Sequence, residues 1–331
     1  MNRTAAALRL AYYLAAGALA TASMAASAQA WSPQKNVEIV AGSAPGGSND
    51  NTARTMERVL LAHKLVPTTV TVVNRPGGGG SIAYTYVSQR PGDAHYLYIA
   101  SSGMLSNHIV GASSLSHADF TPIALLYEDH AVFMVPTGST IKTGVELADR
   151  LKKDPRAVVI GFANAYGSSR HMAAALLMRT LGGSPRDLKP VVFKGSAEAI
   201  TAVLGGHLDV AVAGAVNAIP HVSAGRMRVI GVAAPQRLGG PLAVAPTWRE
   251  QGVDLVYGNW RAVFAPKSLT PAQLAFWENA LRRMAEAPEW KADLEKNHWT
   301  EHFKTGAALQ QELEQDFIWL KTTLVELGLA R

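Results

Sequence analysis

Val37-Glu-Ile-Val-Ala-Gly-Ser-Ala-Pro-Gly-Gly-Ser-Asn-Asp50 is the stretch whose reading settles the fold. Val37 to Gly42 alternates apolar and polar residues and then breaks into a Gly- and Ser-rich loop. Beyond it Ala53, Met56 and Leu60 recur at helical spacing. The order is strand, loop, helix, and it repeats. Val70 to Val73 leads through Asn74-Arg-Pro-Gly-Gly-Gly-Gly80 into a helix ending near Ser88, and Tyr96 to Ala100 forms the next strand. Pro122 to Tyr127 and Ala131 to Val135 are two apolar runs split by Glu128-Asp129; they predict two strands at a crossover. A second βα series follows, with helices over 145–153, 169–181 and 197–204 and strands over 157–162, 190–193, 208–213 and 229–233. Strand-like Trp260 to Phe264 and helices over 271–286 and 307–329 complete the chain. Alternating βα units imply parallel sheets covered by helices. The expected fold class is α/β, with two lobes, each a mostly parallel sheet flanked by helices. Lobe 1 is expected to comprise 31–136 and 256–331, and lobe 2 to comprise 137–255.

The first thirty residues read as an address rather than as part of that fold. Arg3 and Arg9 precede or flank an apolar run, Leu10 to Ala22, that is too short to span a bilayer, and Ala28-Gln29-Ala30 offers a cleavage site. A signal peptide over 1–30 and a mature chain beginning at Trp31 are expected, and with them export to the periplasm. The 331 residues are 48% hydrophobic and 17% charged, which excludes a disordered chain, and contain no cysteine, which excludes disulfides, thiolate catalysis and iron–sulfur clusters. A net charge of +6, with no long basic run, argues against nucleic acid as a partner. The excess lies in the second series, which has 14 Lys and Arg against 8 Asp and Glu over 137–255.

Two loops are suited to an anion. Ala44-Pro45-Gly46-Gly47-Ser48-Asn49-Asp50 and Ala163-Asn164-Ala165-Tyr166-Gly167-Ser168-Ser169-Arg170-His171 each close a strand and open a helix, whose first amides have no intrahelical acceptor. The first is no Walker loop, since no Gly-Lys-Ser/Thr follows it, and the weak Gly78-x-Gly80-x-x-Ala83 pattern does not establish a dinucleotide site. No cofactor is expected. Ser139-x-x-Lys142 and Lys304-Thr-Gly306 match fragments of penicillin-interacting enzymes, but no Ser-Asp-Asn lies between them. His298 and His302 have metal-pair spacing without a third ligand nearby in sequence; they read as surface residues, and no metal is expected. Asp50 and Arg54 read as a helix-surface pair, and Arg170 as a solvent-facing residue or as one shaping the far end of the pocket.

Seven short motifs occur in a telling order: Pro45-Gly46-Gly47-x-x-Asp50-x-x-x-Arg54, Asn74-Arg75-Pro76-Gly77-x-Gly79-Gly80, Asp119-Phe120-Thr121-Pro122, Lys194-Gly195-Ser196, Gly205-Gly206-x-x-Asp209, Ala224-Gly225-Arg226 and Pro246-Thr247. In this the chain resembles the Bug-type substrate-binding proteins of tripartite tricarboxylate transporters. The resemblance implies a type II periplasmic binding protein with a ligand cleft between its lobes, and no enzymatic activity. It implies a small carboxylate ligand, an organic acid or amino acid, held mainly by backbone amides of the two loops, and membrane permease subunits as partners of a monomer. The ligand-binding residues expected are Ala44, Pro45, Gly46, Gly47, Ser48 and Asp50 from the first loop, Ser101 from the third strand, and Asn164, Tyr166, Gly167, Ser168, Ser169 and His171 from the second. The sequence departs from the family at Ala163-Asn164-Ala165, where Ser-Ser-Gly is usual. The rival readings are a secreted serine hydrolase using Ser168 or Ser101, and a receptor that signals to a membrane sensor.

Overall fold

The computed structural model describes residues 31–163 and 165–330. The expected signal peptide and Asn164 lie outside the described residues. The chain begins with the expected unit: strand β1 (Val37–Ala41) runs into helix α1 (Ser48–Ala62). Helix α1 buries Ala53, Met56, Val59 and Leu60, one face at spacings of three and four, against the first sheet. Strands β2 (Val70–Asn74) and β3 (Tyr96–Ser101) flank β1 in parallel, joined through α2 (Ser81–Ser88). A short helix, α3 (Gly103–Ile109), follows β3.

Strand β4 (Phe120–Pro136) is where structure and sequence pattern part company. Two strands were expected on either side of Glu128-Asp129, but the backbone runs through as one strand of 17 residues. Its first part pairs antiparallel with β9 (Gly258–Pro266), from Phe120 opposite Pro266 to His130 opposite Gly258. Its last part pairs antiparallel with β7 (Val210–Gly214) and β8 (Met227–Val232). The acidic pair does not turn the chain because Asp129 is neutralised in place by Arg170. An internal partner removes the need for a charged residue to reach solvent.

The second half repeats the first. Strands β5 (Val159–Ala163), β6 (Lys189–Phe193) and β7 form a parallel triplet interleaved with α5 (Ser169–Thr180) and α6 (Ser196–Leu204), after α4 (Gly144–Lys153). The sheet order is β2-β1-β3-β9-β4-β7-β5-β6, with β8 and β10 (Thr300–Lys304) both added to β4. Each half therefore has three parallel strands, and antiparallel strands join the halves through β4. The architecture is the expected two-lobed α/β fold.

Helices α7 (Ala215–Ser223) and α9 (Pro288–Asn297) were not read from the sequence, nor was α3. Helix α8 (Pro271–Glu286) was, and its start is well specified. Pro271 occupies the first turn, while Thr270 and Gln273 exchange side-chain to backbone hydrogen bonds. The last helix, α10 (Gly306–Glu326), packs on α3, β4 and α5, so it touches both halves. Arg179 on α5 donates to Thr323 Oγ1 at 3.2 Å, one of the bonds that fasten it. No helix among the described residues is long and apolar enough to cross a membrane.

Candidate functional site

Helices α1 and α5 both start just beyond the carboxyl ends of parallel strands, where α/β sheets form ligand crevices. The first start is held open by Asp50, which is fully buried. Its carboxylate accepts from the Gly46 amide at 2.8 Å, Arg54 Nε at 2.9 Å and Asn74 Nδ2 at 2.8 Å. Burial pushes this carboxyl up, but the bonds from Arg54, Gly46 and Asn74 win and hold it below its ordinary range. Asp50 is thus more than the surface partner of Arg54 that its spacing suggested; it shapes the loop. Gly46 has φ of +80°, a left-handed conformation that favours glycine. Ser43 Oγ accepts from the Asp50 amide at 3.1 Å, and the amides of Ser48 and Asn49 have no protein acceptor among the described residues.

The second start is built around His171. Its Nδ1 accepts from the Gly167 amide at 2.9 Å, and its ring stacks on Phe162 at 4.9 Å with Tyr166 edge-on at 5.3 Å. Gly167 itself has φ of +81°. Burial pushes the imidazole down to about 4, so at neutral pH His171 is uncharged and carries its proton on Nε2. Ser168 Oγ donates to Ala163 O at 3.1 Å. Neither Ser168 nor Ser101 bonds to a histidine among the described residues, and the hydrolase reading loses its activated nucleophile. The amides of Ser169, Arg170 and His171 are left without protein acceptors among the described residues.

Both starts open into one cavity of about 650 Å³. Of the residues expected to bind ligand, Ser48, Ser101, Tyr166, Gly167, Ser168 and Ser169 line it. Ala44, Pro45, Gly46, Gly47, Asp50 and His171 do not line it; Asp50 and His171 fix the loops that do. Asn164 lies outside the described residues. The lining also includes Asn49, Asn107, Lys194, Asn259 and Arg261, which the sequence reading did not select. Asn49 stood in the first loop and Lys194 in one of the seven motifs without being assigned to the site, and Arg261 left a trace only as a charged residue inside the apolar strand Trp260 to Phe264. Arg170 points elsewhere. It is buried against Asp129 rather than facing solvent or the pocket.

The other histidine expectation also changes. His298 and His302 are half-buried, and His302 Nε2 lies 2.8 Å from Glu312 Oε1, with Glu128 close by. Lys304 occupies the other Glu312 oxygen. Both oxygens of Glu312 thus have partners, and the bond to Glu312 raises the His302 imidazole above its ordinary value. A groove of about 780 Å³ between Pro235–Pro241 and Ala292–Thr300 shares no residue with the cavity at the helix starts.

The His171 shift has a measurable sign. Between its ordinary value of 6.5 and its folded value of about 4, the unfolded chain binds a proton that the folded chain does not. Stability therefore falls as pH drops through that window, by about 3 kcal/mol in all. Asp316 opposes it: burial raises its carboxyl to about 6, so the folded chain holds a proton that the unfolded chain releases. In wild type Asp316 therefore offsets part of the His171 loss, and the His171 contribution has to be read as a difference between two proteins. The stability advantage of wild type over His171→Gln should shrink by about 3 kcal/mol between pH 7 and pH 4, read by urea denaturation. A constant difference would show that the ring is not held neutral.

Residues 53–326 match the family model described as tripartite tricarboxylate transporter family receptor, TctC. A Pseudomonas sp. (strain P51) protein named for the tcbD-tcbE intergenic region is 29% identical over 265 residues, covering 78% of this chain and 76% of its own. Protein BugT of Bordetella pertussis is 27% identical, with 84% of each chain covered. Among solved structures, R. palustris Rpa4515 with adipate superposes with a TM-score of 0.76 at 22% identity, covering 90% of this chain and 99% of that one.

Proposed function

Because the chain belongs to the tripartite tricarboxylate transporter receptor family, a family of solute receptors rather than enzymes, we propose that it captures a small carboxylate between the starts of α1 and α5. The observation that carries this reading is the convergence of two helix starts, unpartnered among the described residues, on one cavity whose described lining contains no acidic residue. Helix amides and the positive ends of two helix dipoles suit a carboxylate oxygen on each side. Closing the two lobes, 31–136 with 256–331 against 137–255, would bring both starts onto the same ligand. The closed receptor would then deliver it to the permease subunits of a tripartite transporter. The adipate in Rpa4515 supports the ligand class.

A thermal-shift screen of aliphatic and aromatic mono-, di- and tricarboxylates and of amino acids tests the proposal. A ligand at one hundred times its dissociation constant adds about 2.7 kcal/mol to stability, which should raise the melting temperature by several degrees. No shift from any carboxylate would remove the reading. The family's setting is the periplasm, and export should proceed by cleavage after Ala30. Mass spectrometry of periplasmic protein should find Trp31 at the amino terminus, where its ring packs edge-on to Phe276 at 5.3 Å. Full-length chain in the membrane fraction would contradict the cleavage.

A further inference from the structure

Arg261 is a buried cation without a counter-ion. It projects from β9 into the lining of the cleft, only 5% exposed. Its Nη2 donates to Ser48 Oγ at 2.7 Å, and its Nη1 donates to the carbonyls of Asn259 and Trp260 at 3.3 and 3.1 Å. Among the described residues its buried Nε has no partner, and no carboxylate lies within ion-pair distance of the guanidinium. The contrast with Arg170 is direct, since that guanidinium, equally buried, has Asp129. Lys194, an exposed residue in the loop after β6, adds a second positive side chain to the lining.

A buried, uncompensated guanidinium is costly to keep, and a ligand that neutralises it recovers that cost on binding. We infer that Arg261 is a specificity-determining residue which takes one carboxylate of a dicarboxylate lacking an amino group. The inference rests on the carboxylate reading above and narrows it. The second carboxylate is left to the α5 start and to Lys194, both on the opposite side of the cleft. An α-amino acid fits this lining poorly. Its ammonium would enter a cleft containing two cations and no acidic side chain, where it meets repulsion and finds no ion-pair partner.

Calorimetry with unsubstituted four- to six-carbon dicarboxylates, each set beside its 2-amino counterpart, provides the test. Wild type should bind at least one unsubstituted diacid, and bind it more tightly than the amino counterpart by tenfold or more. Arg261→Met should weaken diacid binding by about 10- to 100-fold, the range expected for losing a charge-assisted hydrogen bond. The same variant, without ligand, should melt no lower than wild type, because it removes a buried charge that nothing neutralises. Should the Met variant fail to fold, Arg261→Gln, which keeps a polar side chain but ends two bonds short of the nitrogen that meets Ser48, carries the same expectation for affinity. Equal affinity for a diacid and its amino counterpart, or wild-type affinity in a folded Arg261 variant, would overturn the inference. Binding only of monocarboxylates, tricarboxylates or amino acids would also overturn it while leaving the carboxylate reading standing. Binding of no carboxylate at all would remove both.

Discussion

Ser48→Asp should abolish carboxylate binding and, in the same protein, raise the melting temperature of the unliganded state. Ser48 is the first residue of α1, and its hydroxyl already bonds to Arg261 at 2.7 Å. An aspartate there brings a carboxylate to the buried guanidinium and to the positive end of the helix. Acidic residues in a first helical turn are favoured by about 0.3–1 kcal/mol, and a hydrogen bond to a charged group adds about 1.5–3 kcal/mol. The unliganded protein should gain on that order. Binding should fall at least 100-fold, because the incoming carboxylate meets a like charge and an Arg261 already neutralised. Gly47→Asp is a poorer probe of the same idea. A Cβ on Gly47 would sit 2.7 Å from Ser43 Cβ and Oγ, so a loss of binding could arise from a displaced loop. A Ser48→Asp protein that melts higher and still binds with wild-type affinity would put the ligand elsewhere.

Asp129→Ala should be among the most destabilising single changes in the molecule. The residue sits midway along β4, where the strand passes from its β9 pairing to its β7 and β8 pairing, and it neutralises Arg170 from the first turn of α5. Both side chains are about nine-tenths buried. Removing one member of such a pair leaves a buried charge uncompensated and costs about 3–5 kcal/mol. The double variant Asp129→Leu with Arg170→Met should recover most of that loss, because it removes both charges and keeps much of the volume. Urea denaturation of the singles and the double decides it. Additive losses would show that the two residues act through separate contacts. Gly214 belongs to the same arrangement, since a Cβ there would lie 2.7 Å from Arg170 Nη2.

The repeated strand–loop–helix units and both helix starts were legible because they rest on local rules: alternation, a glycine break, and a helical face at spacings of three and four. What escaped was set by distant parts of the chain. Strand β4 looked broken at Glu128-Asp129 because the residue that neutralises Asp129 lies 41 positions away. Helix α7 contains Pro220 and a run of small residues, so its pattern gave no helical periodicity strong enough to read. Asp50 and His171 were selected as ligand contacts; the folded chain uses them to hold the loops at the two helix starts in shape. Arg261 joins Ser48 across 213 residues, and nothing local marks an arginine in an apolar strand as part of a cleft. The two loops could be found from sequence, whereas the charge between them required the sheet order that places β9 beside β3.

The most direct measurement is a crystal structure of the protein with a carboxylate identified by the thermal-shift screen. The account predicts carboxylate oxygens within hydrogen-bond distance of the Ser48 and Asn49 amides on one side. It predicts further ligand contacts with the Ser169 and Arg170 amides on the other, inside the cavity that Arg261 lines. Ligand density in the groove between Pro235–Pro241 and Ala292–Thr300, with the helix starts still facing solvent, would contradict it.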